Sequence, residues 1–352
     1  MTLDLRKLLL IHAIPEGMVA VLRHTVHGLL LAELSGRIPV IYWGSRFLYR
    51  RVGKDENAFL RFFEDVGCCD GNRVTSAHGG FLPTDWSAEN VFNDRLISYL
   101  DDESRSGVAQ PPLEMLLNSE AAVVVYTHWN HLVDILPFVP EGSEYHGLDN
   151  ATVAGMIFRK YFKVLPEVLA PAKVILEAVT APGRVIGVHC RGSDKITEHA
   201  LVTPEDYRKE VNRILRKDDR VFLATDSLAA LKKFQGWYGD RLIFTDCERS
   251  SNAQGVHFTA MDREKAGCDF LVDAYLLSKC AVHFGNEGSH VSYLVQAMLR
   301  EGRRPFDNFV NVRASSLSRL KRDVCHRLPA WGRRKLGNSL RRIGLRGRKE
   351  KP

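Results

Sequence analysis

The sequence predicts an α/β protein of two domains whose strands lie parallel. Residues 7–43 read as strand, helix, strand, the unit of a parallel sheet with a right-handed crossover. Residues 184–299 alternate short apolar runs with helical patterns, which is the pattern of a doubly wound sheet. At 352 residues the chain fits two domains of about 150 residues each as a prior. The expected division is 1–175, 176–314 and a basic tail over 315–352, with the boundary near 172–183.

Residues 7–14 form the first apolar run, and Pro15, Glu16 and Gly17 close it. Residues 19–34 carry apolar side chains at helical spacing and stop at Ser35-Gly36. Residues 39–43 (PVIYW) give a second strand. The turn after the first strand is not a GxGxxG dinucleotide fingerprint. Residues 57–66 read as a helix, and residues 68–86, rich in Gly, Asn and Thr, as a long loop. Residues 121–126 (AAVVVY) are a third strand running into His128, Trp129 and Asn130. These groups could stack on a sugar or form a satisfied surface cluster. A helix is expected over 150–169 and a connection over 171–182.

In the second half, residues 185–188 (VIGV) form a buried strand. Thr203, Pro204 and Asp206 open a helix, with Thr203 as N-cap and Pro204 at the first position. Strands follow at 220–224 (RVFLA), 241–244 (RLIF) and 281–284 (AVHF). Helices are expected over 227–238, 270–277 and from Ser289 to about Leu299.

Ligands of open α/β sheets bind outside the carboxyl ends of the strands. Three such ends here carry polar groups: His189, Arg191, Asp194 and Lys195; Thr225, Asp226 and Ser227; and Asn286, Glu287 and Ser289. Asp273 sits on a helix that can face the same rim. A guanidinium pairs two phosphate oxygens in a fixed fork, and Ser289 at a helix start adds backbone N–H donors suited to an anion. The set describes a nucleoside-diphosphate pocket without a Walker loop. The alternative is a strand end whose charges pair with one another in solvent.

Composition bounds the rest. The chain has no apolar stretch approaching 18 residues, so no membrane span is expected. Cysteines 68, 69, 190, 247, 268, 280 and 325 form no CxxC pair and no zinc spacing, which suggests reduced thiols and a cytoplasmic compartment. Residues 315–352 hold thirteen Lys and Arg against two acids, a charge of +11; the remainder is then −4, since the whole is +7. A mildly acidic body excludes a protein that grips nucleic acid throughout. The tail interleaves basic residues with Leu, Val, Trp and Ile, which suits an anionic membrane surface as well as a solvated end.

IGVHCRGSDK, a helix opened by Pro204, VFLATDS, and FLVDAYLLSKCAVHFGNEGSH in that order resemble the α1,6-fucosyltransferases. Core-type and nodulation-factor enzymes belong to that group. The likeness spans residues 184–297. It implies a GT-B fold of two facing α/β domains, with GDP-fucose in the C-terminal one and the acceptor, a glycan or lipid-linked saccharide, on the N-terminal side. By position it implies that Arg191 contacts the donor diphosphate, that His189 and Asp273 hold the guanine, and that Asp226 lies near the donor. Asp194 would belong to the same pocket. Ser289 would bind the phosphate, and Lys195 and Glu198 would stand on the acceptor side, Glu198 as general base. Gly192 stands where the family has a second Arg, Ser227 where it has an Asp, and His290 where it has a Gln. No D-x-D triplet occurs in the chain. Charge developing on the leaving phosphate is therefore assigned to Arg191, Lys195 and the helix start, with no metal and no cofactor. Asp194 and Glu287 are further candidates for the base. Transfer from another nucleotide sugar, or binding of a nucleotide or glycan without catalysis, stay open at this point.

Overall fold

The computed structural model describes residues 7–51, 56–93, 96, 111–127, 130–180, 182–191, 202–251, 256, 260–286, 289–299 and 306–315. Its N-terminal half contains β1 (Leu8–His12), α1 (Met18–Leu34), β2 (Ile38–Tyr42), α2 (Asn72–Thr75), β3 (Phe81–Leu82), α3 (Leu113–Asn118), β4 (Val123–Tyr126) and α4 (Leu132–Ile135). Two helices follow, α5 (Asn150–Tyr161) and α6 (Pro166–Thr180). The second half runs β5 (Val185–His189), α7 (Pro204–Ile214), β6 (Arg220–Ala224), α8 (Leu228–Tyr238), β7 (Leu242–Phe244), α9 (Arg263–Lys279), β8 (Val282–Gly285), α10 (His290–Ala297) and β9 (Phe309–Asn311).

Two sheets result, and every named pairing is parallel: β2-β1-β4-β3 and β7-β6-β5-β8-β9. The strands at the centre, β1, β4 and β5, are buried along their whole length. That is why they read as continuous apolar runs rather than alternating ones. Side chains nevertheless divide by parity between the two faces. Leu8 and Leu10 pack with Trp86, Val91 and Val123, whereas Leu9 and Ile11 pack toward α1. In β5, Ile186 and Val188 pack with Tyr207, Val211 and Phe234, while Val185 faces the opposite way.

The inward faces of both sheets belong to one apolar core. α1, α5, α6, α9 and α10 fill it, with α6 packed on α9 and α5 on α10. Two glycines let these helices come close. A Cβ on Gly28 of α1 would stand 2.8 Å from Ile11 Cγ1 and 2.9 Å from Tyr126 Cδ1. A Cβ on Gly187 of β5 would meet Cys280 Cβ and Leu277 Cδ2, each at 3.0 Å. Arg37 closes the other end of the first sheet. Its side chain is buried and donates to the carbonyls of Leu8 (3.1 Å), Ala121 (2.9 Å) and Ser119 (2.5 Å).

Several local expectations hold. Thr203 caps α7 with Pro204 as its first residue, and Asp206 reaches back to complete a capping box; Ser227, expected as the first residue of α8, is instead its cap and accepts from Ala230 N at 3.3 Å. Others do not. Residues 57–66 contain only a 3-10 turn, Ala58–Arg61. The long loop at 68–86 holds a single helical turn and β3. The expected helix at 150–169 is two helices, and the expected connection over 171–182 is the second half of α6, which carries Pro171 inside it. α9 begins at Arg263 rather than Phe270, because Asp262 caps it by accepting from Lys265 N. Ser289 is the cap of α10 rather than its first residue. The tail beyond Ser315 lies outside the described residues.

Gly28→Val puts two further carbons where one Cβ already touches β1 and β4. Such overpacking costs about 1–3 kcal/mol. A lowered urea midpoint with an unchanged slope is expected in equilibrium denaturation, and a wild-type midpoint would contradict the close approach.

Candidate nucleotide-sugar site

The strand order of the second sheet reverses between β5 and β8: β6 and β7 lie to one side of β5, β8 and β9 to the other. The crevice outside the carboxyl ends of strands at such a reversal is where these sheets take ligands. The register pairs Val188 with Phe284 and His189 with Ala224, so the ends of β6, β5 and β8 stand side by side. Adjacent strands are about 4.8 Å apart, so the rim from β7 to β8 spans about 14 Å.

His189 ends β5 and points to the face covered by α9 and α10. It is 8% exposed, and its Nδ1 has no hydrogen-bond partner. Burial pushes its pKa down to about 3, with the nearby His283 and Arg191 adding to the effect, so the ring is neutral. Arg191, two residues on, is half-buried just outside the sheet. Between them Cys190 turns to the other face and donates its N–H to Ala224 O at 3.0 Å. Burial raises the Cys190 thiol pKa, and the Asp226 carboxylate raises it further. Asp226 thus stands beside the end of β5. Its carbonyl accepts from Ser250 N at 2.8 Å, which ties the loop after β7 to the end of β6.

Ser289 sits across the reversal, at the end of β8 and the start of α10. It is 7% exposed, and its Oγ has no partner, so a buried hydroxyl stands at the positive end of a helix. Its backbone N–H donates to Asn286 O at 2.9 Å, and Asn286 Nδ2 donates to Val312 O at 3.0 Å, which fixes the turn. His283 lies beneath this turn with no exposure and an unpartnered Nε2. Burial holds its pKa at about 3.

Asp273 is part of the rim but not of the central cluster. It lies at the end of β7, where Thr245 Oγ1 donates to its Oδ1 at 2.7 Å. Burial raises its pKa to about 7, against the opposing pull of the Thr245 hydrogen bond and of Arg249. Arg249 donates to the carbonyls of Thr245 (2.6 Å) and Cys247 (3.0 Å) and stacks over Phe244 at 5.6 Å. Sequence reasoning passed over Thr245, Arg249 and His283. The rule that polar residues follow a strand end, applied to the short β7, would have found the first two. Asp194, Lys195, Glu198 and Glu287 lie outside the described residues, as do Gly192, His128 and Trp129.

The rim of the first sheet carries its own polar residues. His12 ends β1, fully buried, with Nε2 2.8 Å from Val91 O and its ring stacked on Trp86 at 5.8 Å. His24 stacks on Tyr126 at 4.7 Å. Burial lowers the His27 pKa to about 3, with Arg23 adding to the effect and the Asn130 backbone opposing it. Arg23 of α1 lies 5.4 Å over the ring of Tyr293 in α10, so the first helix of one half meets the helix that follows Ser289 in the other.

No family model and no curated protein matches the sequence. Solved structures do match it. The NodZ α1,6-fucosyltransferase soaked with GDP-fucose has a TM-score of 0.55 and 21% identity, covering 84% of this chain and 93% of that one. NodZ from Bradyrhizobium in a further crystal gives the same values. FUT1 of Arabidopsis thaliana in complex with GDP has a TM-score of 0.52 and 13% identity, over 83% of this chain and 68% of that one. POFUT1 in complex with GDP has a TM-score of 0.51 and 14% identity, over 88% and 98%. NodZ, among the structures that this fold resembles, is of the enzyme group that residues 184–297 resemble in sequence. With its two parallel sheets, the chain has the GT-B fold of those fucosyltransferases.

Proposed function

We propose that this protein is an inverting glycosyltransferase that moves fucose from GDP-fucose to a glycan or a lipid-linked saccharide. One observation carries the reading: Arg191, the buried hydroxyl of Ser289 at the start of α10 and the neutral His189 share the reversal point of a parallel sheet. Those are two features for a diphosphate and one uncharged hydrogen-bonding ring. The NodZ structure soaked with GDP-fucose and the FUT1 and POFUT1 structures with GDP support the choice of donor.

In this reading the acceptor hydroxyl attacks the anomeric carbon from the face opposite the phosphate. The bond from that carbon to the phosphate oxygen breaks, and its electron pair leaves with GDP. Arg191 and the N–H groups at the start of α10 stabilise the charge that develops on the diphosphate. Asp273 receives the guanine N–H donors from the β7 end of the rim. The proton of the acceptor hydroxyl goes to a carboxylate, for which the family motif nominates Glu198, with Lys195 beside it. The fixed cations and the absence of a D-x-D triplet make the reaction independent of a divalent metal. The basic tail would hold the protein against an anionic membrane face on the cytoplasmic side, near a lipid-linked acceptor.

Isothermal titration in the presence of a chelator is expected to show binding of GDP and GDP-fucose and none of UDP-glucose. Preference for a uridine nucleotide, or binding only after a divalent ion is added, would overturn the choice of donor and the metal-free mechanism. Arg191→Ala is expected to lower turnover at least a hundredfold while leaving the circular dichroism spectrum unchanged; activity near wild type would sink the role given to Arg191. Asp273 should make donor binding depend on pH. Its carboxyl is protonated below a pKa of about 7, and only the ionised form accepts two N–H donors. GDP affinity should therefore rise with pH up to about 7 and level off above it, and Asp273→Asn should flatten that profile. A wild-type profile in the variant would remove Asp273 from the guanine site.

A further inference from the structure

The free edge of β2 is covered by residues 57–69. Asn57 binds it on both sides of a peptide: its Oδ1 accepts from Trp43 N at 2.9 Å, and its Nδ2 donates to Ile41 O at 2.7 Å. Further on, Ile41 N donates to Cys68 O at 2.6 Å. An edge strand without such a cover invites pairing with another chain. The end of the covering segment holds Asp65, Cys68 and Cys69, whose carboxylate and two thiol sulfurs lie within 4.8 Å of one another.

That convergence is not what two adjacent residues do by default. In extended backbone, successive side chains point to opposite sides. Here Gly67 takes φ +87°, a left-handed conformation that L residues rarely adopt, and the chain bends before the two cysteines. Asp65 Oδ1 accepts from Gly67 N at 2.8 Å and from Cys68 N at 2.9 Å, holding the bend and directing the carboxylate back toward the sulfurs. Cys68 is buried and Cys69 half-buried, and neither is in a disulfide.

We propose that Asp65, Cys68 and Cys69 form a binding site for a thiophilic divalent cation of the zinc class, which holds the bend at the end of the covering segment. Two thiolates at about 2.3 Å and one carboxylate oxygen at about 2.0 Å make three corners of a tetrahedron, with the fourth left to water. In such a tetrahedron the two sulfurs stand about 3.8 Å apart, which these donors reach by small side-chain rotations. Two sulfurs select zinc or cadmium over magnesium or calcium, whose ligands are oxygens. Binding releases the two thiol protons, so it weakens as pH falls. The site lies on the segment that covers the edge of the first sheet and takes no part in the donor chemistry. It stands or falls independently of the proposed transfer reaction.

The test uses the full chain, reduced and stripped with a chelator, and titrated with Cd²⁺ while the ultraviolet thiolate-to-cadmium band is followed; Zn²⁺ is then added as competitor. Wild type is expected to take up one equivalent more than the Cys68→Ser/Cys69→Ser variant, with the band lost in the variant and Zn²⁺ displacing Cd²⁺ from wild type. Asp65→Asn keeps the oxygen that accepts the two backbone N–H groups but removes the charge, so it should weaken binding roughly tenfold or more while the fold persists. Equal uptake and an equal band in wild type and the double variant would overturn the site. Should the double variant fail to fold, wild-type affinity in Asp65→Asn overturns it alone.

Discussion

The arrangement depends on how closely helices approach the central strands. In a parallel sheet buried on both faces, the strands supply apolar surface but no room, and a helix comes nearer only where a side chain is missing. Gly28 provides that gap on α1 against β1 and β4, and Gly187 provides it on β5 against the end of α9. The gap at Gly187 lies two residues before His189 on the same face. The packing that brings α9 down onto β5 therefore also sets the floor beneath the candidate donor pocket. Fold and site share one constraint.

The polar side of the design is costly in the same place. His189, His283 and Ser289 are buried with at least one unsatisfied atom each. A buried polar group without a partner costs about 1–3 kcal/mol. Native structures hold few such groups, and a cluster of three around one strand reversal is a stability cost that a ligand would offset by supplying the missing partners. The half-buried carboxyl of Asp273 fits the same view, since desolvation raises its pKa to about 7 despite Thr245 and Arg249.

How much of this was legible in the sequence follows from what each residue can signal. The central strands announced themselves, because burial on both faces leaves β-branched runs such as VIGV and VVVY with no polar interruption. The helix start at Thr203 and Pro204 was equally plain, since its chemistry is entirely local. Residues His189, Arg191, Asp226 and Ser289 could be nominated because each follows a recognisable strand or opens a helix. Asp273 was nominated too, but its burial was not foreseeable: nothing local says which face of α9 meets Thr245, 28 positions away. The helix α6 was misread because Pro171 suggests a break, yet the helix runs through it as its sixth residue, giving up one backbone hydrogen bond. β3 and β9 were missed because two- and three-residue strands carry no periodicity.

The single apolar core between the sheets has a consequence for how the molecule can move and come apart. Where two sheets meet through a thin hinge, each half melts by itself and can swing against the other at little cost. Here Leu9 and Ile11 of the first sheet and Val185 and Phe222 of the second belong to one continuous cluster, and α5 and α6 lie inside it. A large opening would expose that cluster to water. Substrate entry is then a matter for the loops at the two rims, and heat or denaturant meets one cooperative unit rather than two.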